Sequence, residues 1–330
     1  MSGQPVLMLV DMVADRFITG TPRRISREAP VLILRYDGET SSPGGGANAI
    51  ANVAALGGRP LALGVVGDDE SGKTLLAALG ALGVGTEGIL VQGGYRTPTK
   101  TRVLGGGKSS IKQQIVRLDI EDELGLDDDA RQRLLARLER WRGLARVAVL
   151  SDYGYGAVVP GCMEAVRATV GRSGTVLCDS RYRLADFRGL DGATPNEEEA
   201  EALLGASFDD DPERLELGGR ALRERLGASF VLVTRGSRGM ALFDGDRSAH
   251  LPVHGTDQVA DVTGAGDTVI GTFALALAAG ATPLEAALLA DYAGGVVVMK
   301  MGTATLTPDD LRSAVRNDPA PREELRWGRS

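Results

Sequence analysis

A chain of 330 residues with 43% hydrophobic and 25% charged residues has the make-up of a globular protein, which excludes disordered, collagen-like and membrane classes. Its formal net charge of −7 argues against nucleic-acid binding, because neutralising a phosphate backbone needs a surplus of Lys and Arg. Cys162 and Cys178, the only cysteines, lack metal-ligand spacing, so neither a disulfide framework nor a zinc site is expected and both thiols read as buried and structural.

In chain order, the apolar run 6–10 ends in Asp11 and reads as a buried strand of a parallel sheet. It is too short for a signal peptide and no other run reaches the length of a membrane span, so a cytoplasmic location is expected. Similar runs recur at 62–66, 147–150, 175–178 and 230–234. Helical periodicity occupies 47–56, 72–82, 128–141, 161–170, 197–204 and 211–226, and this alternation predicts βαβ units with a largely parallel sheet between helices. Residues 265–300 read as two apolar helices joined at 280–283. Segments 29–36, 95–104 and 111–120 are extended without intervening helices, with a turn at 105–107, and fit a small β lid. The expectation is one domain over 1–330 with lid segments inserted at roughly 12–42 and 92–120, and a charged, Pro-containing tail at 317–330 on the periphery.

The chemistry concentrates in residues 261–268, DVTGAGDT, which lead directly into an apolar helix. Gly264, Ala265 and Gly266 leave backbone N–H groups uncovered at the positive end of that helix, where they can stabilise an anion. Asp267, in the first helical turn beside that hole, is placed to take a proton from an attacking hydroxyl. The competing reading is a glycine turn capped by Asp267.

The string resembles the signature of ribokinase-like (PfkB) sugar kinases, in which the final Asp is the catalytic base and the glycine turn the anion hole. Residues 43–54, PGGGANAIANVA, resemble the family's sugar-binding motif: Gly44 and Gly45 let a ring approach the backbone, and Asn48 offers a donor and an acceptor to hydroxyls. Asn196 and Glu199 fall in the two named places of an N-x-x-E motif that orients water around Mg²⁺ on the phosphates of ATP, whereas on their own they read as a helix start. Residues 233–239 resemble the strand-end loop along the nucleotide, which implies Thr234, Gly236 and Gly239, and Asp291 stands where an Asn often faces the adenine. The family likeness also implies K⁺ near Asp261, Thr263 and the 297–303 loop; a homodimer through the lid is a separate expectation.

Asp11, Asp15, residues 24–31, 97–103 and 113–119 resemble the branch that phosphorylates O1 of D-glycero-β-D-manno-heptose 7-phosphate. In that reading Asp11 and Asp15 bind the sugar, while Lys100, Arg102 and Arg117 neutralise its phosphate; the plain alternative is alternating cations on a wet strand face. The chain departs from the branch at Val10, Tyr155, 105–111 and Asp179-Ser180-Arg181. Its length leaves no room for the nucleotidyltransferase domain of some relatives, so a bifunctional enzyme is not expected. The alternatives are a kinase for an unphosphorylated sugar or nucleoside and a catalytically silent sugar-nucleotide binder; the intact Asp267 and glycine turn disfavour the latter.

Overall fold

The structure is a computed structural model that describes residues 1–107, 112–254, 261–300, 302–318 and 327–328. Its elements in chain order are β1 (Pro5–Val10), β2 (Met12–Ile25), β3 (Leu32–Gly45), α1 (Gly46–Ala55), β4 (Arg59–Gly67), α2 (Glu70–Ala81), β5 (Ile89–Gln92), β6 (Thr99–Gly105) and β7 (Gln113–Ile120). There follow α3 (Asp128–Glu139), β8 (Val147–Asp152), α4 (Met163–Val170), β9 (Thr175–Ser180), β10 (Gly192–Ala193), α5 (Glu197–Leu204), α6 (Pro212–Leu226), β11 (Phe230–Thr234), β12 (Met240–Asp244) and β13 (Arg247–Leu251). The last elements are α7 (Ala265–Ala278), α8 (Pro283–Val297), α9 (Pro308–Asn317) and β14 (Trp327–Gly328).

The main sheet runs β14-β13-β12-β11-β10-β9-β8-β1-β4-β5. It is parallel from β11 to β5, and antiparallel pairing adds β12, β13 and β14 at one end. Strand pleating explains why its central strands are apolar throughout. Val6, Met8 and Val10 of β1 enter one core with α1, α2, α7, α8 and α9, while Leu7 and Leu9 enter the other with α3, α4 and α6.

The second sheet is the lid, in the order β3-β2-β6-β7. One of its two 14-residue strands, β2, was not legible as an extended run in the sequence. Register shifts at Thr19/Gly20 and Pro22/Arg24 break its alternation, and its end at Pro22–Ile25 is exposed. The lid is tied to the main sheet through Asp69, which caps α2 at Gly72 N (2.8 Å) and accepts from Thr97 N (2.8 Å) and Thr97 Oγ1 (2.7 Å). Cys162 and Cys178 are buried and unpaired. Residues 108–111 of the longer lid turn expected at 105–111, and most of the tail, lie outside the described residues. Among the described residues no helix is long and apolar enough to cross a membrane.

Candidate active site

In a parallel sheet the strands' carboxyl ends open into a crevice where their following residues converge. Here β8 delivers Asp152 and Tyr153, β9 delivers Asp179 and Arg181, β10 leads to Thr194 and Asn196, and β11 ends on Thr234. Together with Glu199 and Gly266 these residues line one cavity of about 150 Å³. Gly266 brings the first turn of α7 to it.

Asp267 is 3% exposed. Its Oδ1 accepts from the Tyr153 hydroxyl (2.7 Å), and its Oδ2 lies 3.4 Å from Asn48 Nδ2. Burial pushes its carboxyl up to about 7, against the lowering pull of those two donors and of Lys100, with Asp15 adding to the rise. A carboxylate poised near neutral pH suits a general base. The capping alternative does not describe this side chain: the cap position of α7 is Gly264, with no side-chain cap bond, and Asp267 reaches across to Tyr153 and Asn48.

Asn48 was expected to offer both ends of its amide to a sugar. Its Nδ2 instead donates to Gly264 O (3.1 Å) and its Oδ1 accepts from Asn52 Nδ2 (3.1 Å), so Asn52 fixes which end faces the base. Gly264 has φ +76°, and a Cβ there would lie 2.4 Å from Asn48 Nδ2. Gly266 faces open space in the cavity. Gly44 and Gly45 close β3 beside Asp15 and Tyr153.

Asp11 is not free at the crevice mouth: its carboxylate accepts from the backbone N–H groups of Tyr153 (2.8 Å), Tyr155 (3.0 Å) and Ala157 (3.0 Å). Burial nonetheless pushes its carboxyl up to about 6. Asn196 and Glu199 cap α5 reciprocally, with Asn196 N donating to Glu199 Oε2 (2.9 Å) and Glu199 N to Asn196 Oδ1 (2.8 Å), and both still line the cavity. Burial holds Glu199 above its ordinary value. Gly236 and Gly239 both take positive φ in the loop after β11, whereas Asp291 is buried on α8 outside the cavity lining, its carboxyl raised to about 7 chiefly by burial. Asp261 accepts from Thr263 N (2.9 Å) and Gly302 N (3.0 Å); burial alone would raise its carboxyl, and these bonds with the Arg102 charge outweigh it and leave it low. Met301, within the 297–303 loop, lies outside the described residues.

The lid cations cluster. Lys100 pairs in register with Asp15 on β2 and Asp119 on β7, and Arg102 stands directly opposite Arg117. Arg102 is buried on Asp15 and lies 5.4 Å from the Phe17 ring centroid, whereas Arg117 is exposed and held by Asp119 (2.8 Å). Burial lowers the Lys100 ammonium, and the Arg181 and Arg117 charges lower it further. Tyr153, Asp179 and Arg181 were not named as site residues from the sequence, where Asp179 and Arg181 figured only as a departure from the branch; the signal that could have placed them is their position at the end of a parallel strand.

Known proteins are similar to this chain in sequence and in fold. "Bifunctional protein HldE" of Mesorhizobium japonicum is 39% identical over 322 residues, 97% of this chain and 63% of that protein, so the chain spans less than two thirds of the relative's length. The structure of Arabidopsis thaliana ribokinase complexed with ribose and ATP superposes with a TM-score of 0.73 at 22% identity, covering 96% of this chain and 100% of the other. Phosphofructokinase-2 from Escherichia coli in complex with potassium gives a TM-score of 0.73 at 19% identity, covering 96% and 99%. Those two likenesses establish a ribokinase-like fold. Residues 9–115 and 169–310 match the pfkB family of carbohydrate kinases, and with most of its length inside that match the chain belongs to this family.

Proposed function

We propose that the chain transfers the γ-phosphoryl group of ATP to O1 of a heptose 7-phosphate. The observation that carries the transfer is the Asp267 carboxyl, raised to about 7 in the first turn of α7 and joined by the Tyr153 hydroxyl to the cavity that Gly266 lines. Asp267 takes the proton of the acceptor hydroxyl as it attacks, and the N–H groups at Gly264–Gly266 face the charge on the moving phosphoryl group. Positioning supplies most of the remaining acceleration in such transfers. The 39% identical relative bears the name "Bifunctional protein HldE", and the ribokinase structure of the same fold holds ribose and ATP, which supports the donor and a sugar acceptor.

The acceptor's own phosphate is assigned to Lys100, Arg102 and Arg117. The three cations stand on adjacent strands, Lys100 in register with Asp15 and Asp119, and Arg102 opposite Arg117 is a like-charge pairing that a bound dianion relieves. Thr234, Gly236, Gly239 and Asp291 are assigned to the nucleotide, and Asp11 and Asp15 to the sugar side, Asp11 acting through the backbone it holds.

Among the described residues no group of three or more His, Cys, Asp or Glu side chains could hold a metal directly. The donor set does fit Mg²⁺ held through water, because Asn196, Glu199 and Asp179 present oxygens to one cavity. These residues would hold Mg²⁺ through water, and it would supply positive charge to the nucleotide phosphates. K⁺ is assigned near Asp261, whose carboxyl stays low, and the fold relative in complex with potassium supports this. The lid exposes Ile25, Leu32, Tyr36, Val116 and Leu118, and a second copy of the chain is assigned to cover them in the cytoplasm. A mass in dilute solution of one chain counts against that dimer, and twice that mass supports it.

The test is ATP turnover with heptose 7-phosphate against the free heptose and a nucleoside, with and without Mg²⁺, on the native protein and Arg117→Ala. Removing Arg117 deletes a charge-assisted contact worth about 1.5–3 kcal/mol. The expected result is a roughly ten- to hundredfold higher KM for the phosphorylated acceptor, with little change for the free sugar or ATP. Equal losses on both acceptors assign Arg117 to lid support, and preference for the free sugar or nucleoside by the native protein overturns the acceptor.

A further inference from the structure

Four features of the crevice converge on one side chain that the reaction as described does not use. The Asp11 carboxylate holds the backbone N–H of Tyr153 at 2.8 Å and, through Tyr155 and Ala157, the rest of the turn after β8. Gly45 leaves room for the ring: a Cβ there would lie 3.2 Å from Tyr153 Cε2. Lys100 Nζ stands 5.1 Å from the ring centroid on the lid side. The hydroxyl ends 2.7 Å from Asp267 Oδ1.

Resting on the kinase reading of Asp267, we propose that Tyr153 is a positioning residue for the base: its hydroxyl fixes Oδ1 of Asp267, so that Oδ2 is the oxygen that receives the acceptor's proton. A carboxylate anchored on one oxygen cannot rotate, and a single oxygen then faces the acceptor in one geometry. Asn48 Nδ2, at 3.4 Å, leaves Oδ2 with lone-pair capacity to spare. Whenever Asp267 is ionised, Tyr153 is the donor in this pair. Burial and the charges of Asp267 and Asp179 hold its phenol well above the ordinary value.

The pair also sets the pH at which the base is ionised. The charged groups around it are Asp15 on β2, Lys100 on β6, and Asp179 and Arg181 at the end of β9, with Glu199 beyond Asp179. Asp15 favours the protonated acid, and Lys100 with the Tyr153 and Asn48 donors favours the carboxylate. Taking away the Tyr153 donor therefore raises the carboxyl. The acidic limb of activity, where Asp267 loses its proton, must move to higher pH.

The experiment is the pH profile of kcat/KM between about pH 5.5 and 9 for the native enzyme, Tyr153→Phe, and the enzyme with 3-fluorotyrosine at position 153, a stronger donor of nearly the same shape. The expected result is an acidic limb shifted up by about one pH unit in Tyr153→Phe and shifted down in the fluorinated enzyme, with KM for ATP unchanged. A uniform loss at every pH with the limb in place overturns the inference, as does a limb that stays put on fluorination. The fluorinated enzyme keeps the test decisive if Tyr153→Phe fails to fold. Asp267→Asn is run beside them: its retained turnover sinks the kinase base, whereas a dead Asp267→Asn with unmoved limbs sinks only the role of Tyr153.

Discussion

Asp267→Asn is expected to lower kcat by about 10³-fold or more while leaving KM for ATP near its native value. The amide matches the carboxylate in shape and its oxygen can still accept from Tyr153, and its NH2, which then faces Asn48 Nδ2, loses only the long 3.4 Å contact. What it cannot do is take a proton. Because the native carboxyl is raised to about 7, mainly by burial, the native rate rises with pH through neutrality as the carboxylate forms. The Asn variant should lose that rise as well as the rate. Near-native turnover in the purified variant removes Asp267 from the mechanism.

Gly264→Ala is the second large effect, expected to cost about 10²-fold in kcat. Its φ of +76° strains any residue with a Cβ by roughly 1–2 kcal/mol, and that Cβ would lie 2.4 Å from Asn48 Nδ2. Asn48 must move, which breaks its bond to Gly264 O (3.1 Å) and loosens its contact with Asp267 (3.4 Å). The base and the N–H groups beside it are displaced together. Circular dichroism and melting separate this from unfolding, and a folded Gly264→Ala with native kcat shows that the turn does not set the geometry.

The central strands were legible because β1, β4, β8, β9 and β11 are buried on both faces and leave continuous apolar runs. The β12–β13 hairpin and α9 were not: β12 and β13 are largely buried but only five residues long each, and the exposed face of α9 dilutes its pattern. Within the site, Asp267 and Asn48 stood out because glycines surround them. Tyr153 did not, because its partner lies 114 residues away and nothing local marks a tyrosine after a strand as special. Asp11 was legible as a site residue, but its three backbone partners follow from the turn after β8, which periodicity does not describe. The direction of the Asn48 amide likewise depends on Asn52 one helical turn later, a bond that residue type alone leaves open.

β1 has a consequence beyond placing Asp11. Because Val6, Met8 and Val10 belong to one apolar cluster and Leu7 and Leu9 to the other, the strand is common property of both helical layers. Loss of either layer bares one side of the same backbone, which strips half the support from the opposite layer. The two faces therefore melt as one cooperative unit, and the slow-exchanging amides should lie along β1 and its neighbours β4 and β8. The crevice is built on the part of the molecule that opens last.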